Sequence, residues 1–220
     1  SSEKTIQQAI AFTLHIGKLP LPVKSSPGFL VNRILMPYLV EAISLLDEGI
    51  AAEAIDKAAL DFGMPMGPVE LADTVGLDIC YSVAKNLSEA YGTQVPAGLE
   101  KYIAANTLGK KTGSGFYQYK KGQPVKNSDA DLSDQKMIQN RLIFRFLNES
   151  AACIEENIVE NKDLLDAGII FGTGFAPFRG GPLHYSLQKG VENITSTMSD
   201  YQSLYGDRFN PVTGWNLIKE

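Results

Sequence analysis

Two asparagines set into apolar helical stripes, two histidines, two cysteines and a scatter of lysines are the groups of this 220-residue chain best placed to do chemistry. Asn32 heads a stripe continued by Met36, Leu39, Ile43 and Leu46, at the alternating spacing of three and four that puts side chains on one helix face. An amide on such a face needs a hydrogen-bond partner, since leaving it unpaired costs about 1–3 kcal/mol. Asn140 heads a second stripe of the same spacing, with Phe144, Leu147, Ala151 and Ile154. The amide therefore either ties helices together or holds a ligand, and spacing alone leaves both open.

The other groups offer less. Neither His15 nor His184 has a patterned acidic partner or neighbours at metal-ligand spacing, so both read as structural. Cys80 and Cys153 sit among apolar neighbours and read as buried free thiols. Lys110, Lys111, Lys120, Lys121 and Lys126 form a basic patch that could attract a phosphate-bearing ligand, although such runs are usually solvated faces. Gly172-Thr173-Gly174 resembles part of a dinucleotide loop, but Pro177 stands where the third glycine belongs and the preceding segment looks helical. Gly109-Lys110-Lys111-Thr112 fails as a phosphate loop, with Ala104 and Lys111 at the required Gly and Ser/Thr positions.

The elements that must carry these residues are mostly helices. Ser2 or Thr5 caps a first helix bearing Ile6, Ile10, Phe12 and Ile16 and ended at Gly17. Leu19 to Val23, broken by Pro20 and Pro22, reads as an edge strand or extended coil. Ser25-Ser26-Pro27-Gly28 is expected to cap and open the Asn32 helix, which Pro37 should bend and which frays near Gly49; Glu41 and Glu48 fall off its stripe and are expected to be solvated. Further helices are expected over 52–62 with Gly63 as the stop, over 69–75 with Pro68 at the entry, and over 77–91 with Ile79, Val83, Leu87 and Ala90 inward. Another runs over 98–107. Phe116 to Tyr119 reads as one strand, and Gly122 to Asp134 as a linker.

Beyond the linker the pattern begins again. Asn32-Arg33 answers to Asn140-Arg141, Glu41 to Glu149, Glu48 to Glu156 and Ile50 to Ile158, all at a constant offset of 108 positions. With small insertions Asp56 answers to Asp166, Gly63 to Gly174 and Gly67-Pro68 to Gly181-Pro182. This is a duplication, and two similar helical units should pack about an approximate twofold axis that mimics a dimer. A short helix and an irregular end with Trp215 are expected over 190–220.

Composition narrows the class. With 44% hydrophobic and 20% charged residues the chain is an ordinary globular protein, and its formal net charge of -5 argues against general nucleic-acid binding. No apolar run approaches the ~20 residues of a membrane span, and no signal segment opens the chain, so a cytoplasmic or processed organelle-matrix location is expected. The Ser-Ser-Glu start without Met suggests a piece of something longer.

GFLVNRILMPYLVEA, then IDKAALDFGMPMGPVELADTVGLD and KKTGSGFYQY, closely resemble the C-terminal region of 3-hydroxyacyl-CoA dehydrogenases. The second unit, ending FGTGFAPFRGGPLHY, is similar to the duplicated domain of multifunctional fatty-acid oxidation alpha subunits, and SSEKTIQQAIAFTLHIGKLPLPVKSS resembles the last helix and strand of that family's NAD-binding domain. The resemblance implies an all-α architecture of two tandem repeated helical domains, 6-phosphogluconate dehydrogenase C-terminal-like. A remnant of the Rossmann domain at 1–25 would precede a first helical domain at 26–125 and a duplicated one at 126–220.

The family oxidises L-3-hydroxyacyl-CoA with NAD, using a His base oriented by a Glu. The resemblance places both residues, and the NAD loop, before Ser1, so it implies no catalytic residue here, no NAD bound by these 220 residues and an inactive isolated chain. It implies that Asn32 reaches the acyl-CoA carbonyl region. It also places Phe171 where relatives have a substrate-contacting tyrosine, leaving wall packing without the hydroxyl. Implied partners are an acyl-CoA, the upstream NAD-binding domain and a thiolase beta subunit. A non-catalytic helical oligomerisation or thiolase-docking module, and the helical domain of a beta-hydroxyacid or sugar-acid dehydrogenase, are the competing readings; the duplication and FGTGFAPFRGGP weigh against the latter.

Overall fold

In the computed structural model, which describes residues 2–92 and 95–219, ten α-helices carry the fold and two three-residue strands make its one hairpin. Glu220, the last residue of the expected tail, lies outside these residues. Helix α1 (Glu3–His15) is capped by the Ser2 hydroxyl, which accepts from the Thr5 N–H, as its sequence predicts. Residues 18–26 then run as extended coil, not as a strand. Leu21 and Val23 pack on the helical body, and the Lys24 N–H donates to the Ile158 carbonyl at 2.8 Å. With two prolines in five residues and no neighbouring ladder, the segment has nothing to pair with as a sheet.

Helix α2 (Val31–Asp47) begins later than the Ser-Ser-Pro-Gly signal suggests. The Phe29 N–H closes a turn on the Ser26 carbonyl at 2.9 Å, and Gly28 and Phe29 both take left-handed backbone, at φ +76° and +50°. Two such residues cannot continue a right-handed helix, so the first turn is reset to Leu30 and Val31. Pro37 lies inside α2. Helix α3 (Ala52–Phe62) stops at Gly63, φ +110°, and α4 (Pro68–Val75) opens on Pro68, both as expected. In α5 (Leu77–Tyr91) the buried face is Leu77, Cys80, Ala84 and Leu87; Ile79 and Ala90 are exposed, one step off the expected register.

Helix α6 (Gly98–Ala104) leads to a hairpin of β1 (Gln118–Lys120) and β2 (Gln123–Val125), antiparallel with Tyr119 opposite Pro124. The segment read as a linker therefore supplies one strand of the hairpin, closed by Lys121 and Gly122 in left-handed backbone. Helices α7 (Gln135–Glu155), α8 (Lys162–Thr173), α9 (Pro182–Lys189) and α10 (Val191–Tyr205) rebuild the α2–α5 pattern. The last of these is longer than the sequence suggests. A 3-10 turn, Thr213–Leu217, then seats Trp215, whose indole N–H donates to the Asn148 Oδ1 at 2.8 Å.

The two repeats share one core. Helix α7 lies against both α2 and α3, and Tyr38 on α2 meets Phe146 on α7 edge to face at 5.8 Å. These two residues are each other's counterpart under the 108-residue offset, so this contact sits where the repeat axis crosses. The charges on the seam are exchanged between repeats. Arg33 binds Glu149 through Nε and Glu156 through both Nη atoms, at 2.6–2.7 Å; Arg141 binds Glu41 and Glu48 by the same fork, at 2.5–2.7 Å. Arg208 adds a second contact to Glu41 at 2.8 Å. Tyr91 covers the Arg33 guanidinium and Tyr205 that of Arg141, at 4.1 and 4.2 Å. Glu41 is thus fully buried, against the expectation that it is solvated, and Glu48 is exposed yet bound. Their partners lie about a hundred residues away, outside the reach of a periodicity argument.

Candidate functional site

Asn32 does not lie on the buried face that its stripe suggested; it is exposed in the first turn of α2, at the rim of a concavity. The stripe itself is sound from Met36 to Ile43, all buried, but Asn32 sits at the end of α2, where nothing covers it. The concavity is shallow and open, about 250 Å³, and is lined by Leu21, Val23, Phe29, Leu30 and Val31, with Asn32 as its one side-chain amide. Ligand pockets usually run to 300–1,000 Å³, so this is the size of a subsite.

The helix end beside Asn32 is open. No side chain caps it, its first turn holds no acidic residue, and the N–H groups of Val31 and Asn32 donate to nothing among the described residues. The first intrahelical bonds come from Arg33 to Gly28 and from Ile34 to Leu30. A carbonyl or anionic oxygen is the group such an end attracts. Asn140, the counterpart in the second repeat, is half-buried, and its Nδ2 reaches the Tyr201 hydroxyl at 3.4 Å. One copy of the amide is tied to a neighbouring helix, and the other has no hydrogen-bond partner among the described residues.

Phe171 is 73% exposed on α8. Its neighbours bring that helix to the same region: Gly168 faces Leu21 and Leu30, and Gly172 faces Val31, where a Cβ would collide with the valine side chain. The helix can approach this closely because both contact positions are glycine. Gly172-Thr173-Gly174 ends α8, with Gly174 at φ +73° as its C-cap, so this motif opens no helix N-terminus toward a phosphate.

The remaining candidates resolve into structure. Cys80 and Cys153 are buried free thiols, whose pKa values burial pushes up to about 12. His15 and His184 are both exposed, and the His184 ring meets Gln188 at 2.9 Å. In the basic patch Lys111 is paired with Asp78 and Lys126 with Glu70. No group of three or more potential metal ligands occurs among the described residues.

Two buried carboxylates, in the sequence only markers of the duplication, close helix starts. Asp56 accepts the N–H groups of Val69 and Glu70 and the Tyr117 hydroxyl, and Asp166 accepts those of Leu183 and His184. Each closes the N-terminus of the following helix from a distance, and burial raises each pKa to about 6 against the pull of those donors.

Residues 28–119 match the family model described as 3-hydroxyacyl-CoA dehydrogenase, C-terminal domain. A fatty acid oxidation complex subunit alpha from a Shewanella species is 39% identical over 96% of this chain. The chain carries, over residues 28–119, the 3-hydroxyacyl-CoA dehydrogenase C-terminal domain. It spans about a third of the length of the curated relatives it matches, 32% in the Shewanella case. The crystal structure of 3-hydroxybutyryl-CoA dehydrogenase from Escherichia coli aligns over 99% of this chain and 65% of its own, with a TM-score of 0.81 and 21% identity, a likeness of fold. That of (S)-3-hydroxybutyryl-CoA dehydrogenase from Ralstonia eutropha aligns over 55% of this chain and 44% of its own, at a TM-score of 0.52 and 39% identity. The concavity at Asn32 falls at the start of the matched segment.

Proposed function

We propose that these residues form the substrate-side half of an NAD-dependent L-3-hydroxyacyl-CoA dehydrogenase acting in fatty-acid β-oxidation. Residues 1–25 are assigned to the edge of a nucleotide-binding domain that carries the NAD and the His–Glu pair, 26–125 to the first helical domain and 126–220 to its duplicate. The observation that carries this reading is the free Asn32 amide at an open helix end, beside an apolar hollow. The Asn32 side chain and the free N–H groups hold the thioester carbonyl while the hydrocarbon lies in the hollow. Phe171 supplies apolar wall nearby. NAD, bound by the other domain, accepts the hydride; the residues described here bind and orient. The working location is the cytoplasm, and no described helix is long and apolar enough to cross a membrane.

Calorimetric titration of the chain with acetoacetyl-CoA tests this. Asn32→Ala should weaken binding ~10-fold, the equivalent of one hydrogen bond of about 1.4 kcal/mol. Asn140→Ala should leave it unchanged, because that amide is already engaged. Equal effects of the two would sink the assignment. Mixed with NADH and acetoacetyl-CoA, the 220 residues alone should leave the NADH absorbance flat.

A thiolase-docking role is favoured separately by the bare rings of Phe171 and Phe178, 73% and 77% exposed, on the second repeat. Co-elution of the chain with a thiolase beta subunit, lost in a Phe171→Ser/Phe178→Ser variant, checks it.

A further inference from the structure

Phe29 is an anomaly that neither the core nor the helix explains. It holds φ +50°, a left-handed conformation uncommon outside Gly, Asn and Asp and strained for a bulky side chain. Residues that retain such backbone without a packing reason cluster at ligand clamps. Its side chain is 58% exposed, so burial does not explain the strain, whereas the next residue, Leu30, is 2% exposed and anchors the turn in the core. The strain is enforced from both sides: the Phe29 N–H is held by the Ser26 carbonyl, and Gly28 admits no Cβ because one would meet the Arg33 backbone nitrogen at 2.9 Å. The turn thus places Phe29 in the lining of the same hollow as Asn32.

We infer that Phe29 is a specificity-determining residue, the wall against which the first methylenes of a fatty acyl-CoA chain pack once Asn32 holds the thioester carbonyl. This rests on the substrate reading given above. The occupant follows from the lining. Leu21, Val23, Phe29, Leu30 and Val31 offer hydrocarbon contact, and the polar groups are confined to the Asn32 amide and the uncapped start of α2, which matches an alkyl chain ending in a carbonyl. A ring fixed by its backbone also costs little ordering entropy when it is covered.

The probes are free CoA, butyryl-CoA and octanoyl-CoA, titrated calorimetrically into the chain and into Phe29→Gly and Asn32→Ala variants. Glycine adopts the left-handed turn without strain, so Phe29→Gly should melt no lower than the parent, which separates loss of the ring from loss of the fold. The parent should bind acyl-CoA more tightly than CoA, and octanoyl-CoA more tightly than butyryl-CoA. Phe29→Gly should weaken octanoyl-CoA binding at least 5-fold and remove the preference between the two chains, leaving free CoA unchanged. Asn32→Ala should weaken both acyl-CoAs alike and keep the preference. A retained chain-length preference in Phe29→Gly overturns the inference about Phe29 while an Asn32 effect leaves the substrate reading standing. Acyl-CoA binding no tighter than CoA, with no effect of Asn32→Ala, overturns both.

Discussion

A buried hydroxyl without a partner marks a residue whose chemistry works against the fold. Tyr38 is fully buried on the repeat axis, its hydroxyl has no hydrogen-bond partner, and burial holds its pKa well above the usual phenol value. Its counterpart in the second repeat is Phe146, which has no hydroxyl to satisfy. Tyr38→Phe should therefore stabilise the protein by about 1–2 kcal/mol, read as a rise in denaturation midpoint at unchanged slope. Asp56 and Asp166 make a second prediction at this scale. Their folded-state pKa values, about 6, lie above the unfolded carboxylate range, so their contribution is fully present below about pH 4 and is lost as pH rises through 6. Glu48 and Glu156 behave oppositely. Hydrogen bonds from Arg141 and Arg33 lower them, and their contribution is lost as the pH falls below the carboxylate range. Thermal stability should peak near about pH 4, and an Asp56→Asn/Asp166→Asn variant should lose most of the decline between about pH 4 and 6.

At the scale of elements, local signals were legible and distant ones were not. Gly63 and Pro68 announced a helix stop and a helix start because both act through their own backbone. The Ser25-Ser26-Pro27-Gly28 signal failed because Phe29, a residue with no sequence preference for left-handed backbone, resets the turn. The hairpin partner of Tyr119 was hidden in a polar stretch whose pairing depends on Lys121 and Gly122 at the bend. Asn32 is exposed where its stripe predicts a buried face, since periodicity says which face a residue shares and not how far cover extends along it. Asp56 and Asp166 explain the repeated Gly-Pro pair. A Cβ at Gly67 would overlap the Asp56 carboxylate, and one at Gly181 the Asp166 carboxylate, so each helix start is glycine for want of room. Gly67→Ala, whose backbone at φ -68° is compatible with alanine, should nevertheless cost about 1–3 kcal/mol by pushing Asp56 off α4. A lowered melting temperature in calorimetry checks this; an unchanged one would show that the carboxylate has space to move.

Across the whole molecule, the two repeats are joined too closely to unfold apart. Phe62 of the first packs edge to face on Phe175 and Tyr185 of the second, and Arg179 donates to the Phe62 carbonyl at 2.8 Å while its guanidinium stacks on the Phe62 ring at 4.1 Å. Scanning calorimetry should accordingly show one transition, with calorimetric and van't Hoff enthalpies in agreement. Arg141→Ala leaves Glu41 buried with only Arg208 to face it, and should lower stability by about 3–5 kcal/mol without splitting that transition. The duplication was visible in the sequence as a repeat of residue types, but the exchange of ion pairs between copies was not, because each arginine is answered from the opposite half.

That exchange has a consequence for how such a protein can change. Once a gene for one helical unit has doubled, its copies ordinarily become free to diverge, and the fates of Asn32 and Asn140 show that they did so at the exposed helix end. At the seam the same freedom is withheld. A charge lost from one copy strands an acid in the other, so a change at the seam of either copy is felt by its sibling.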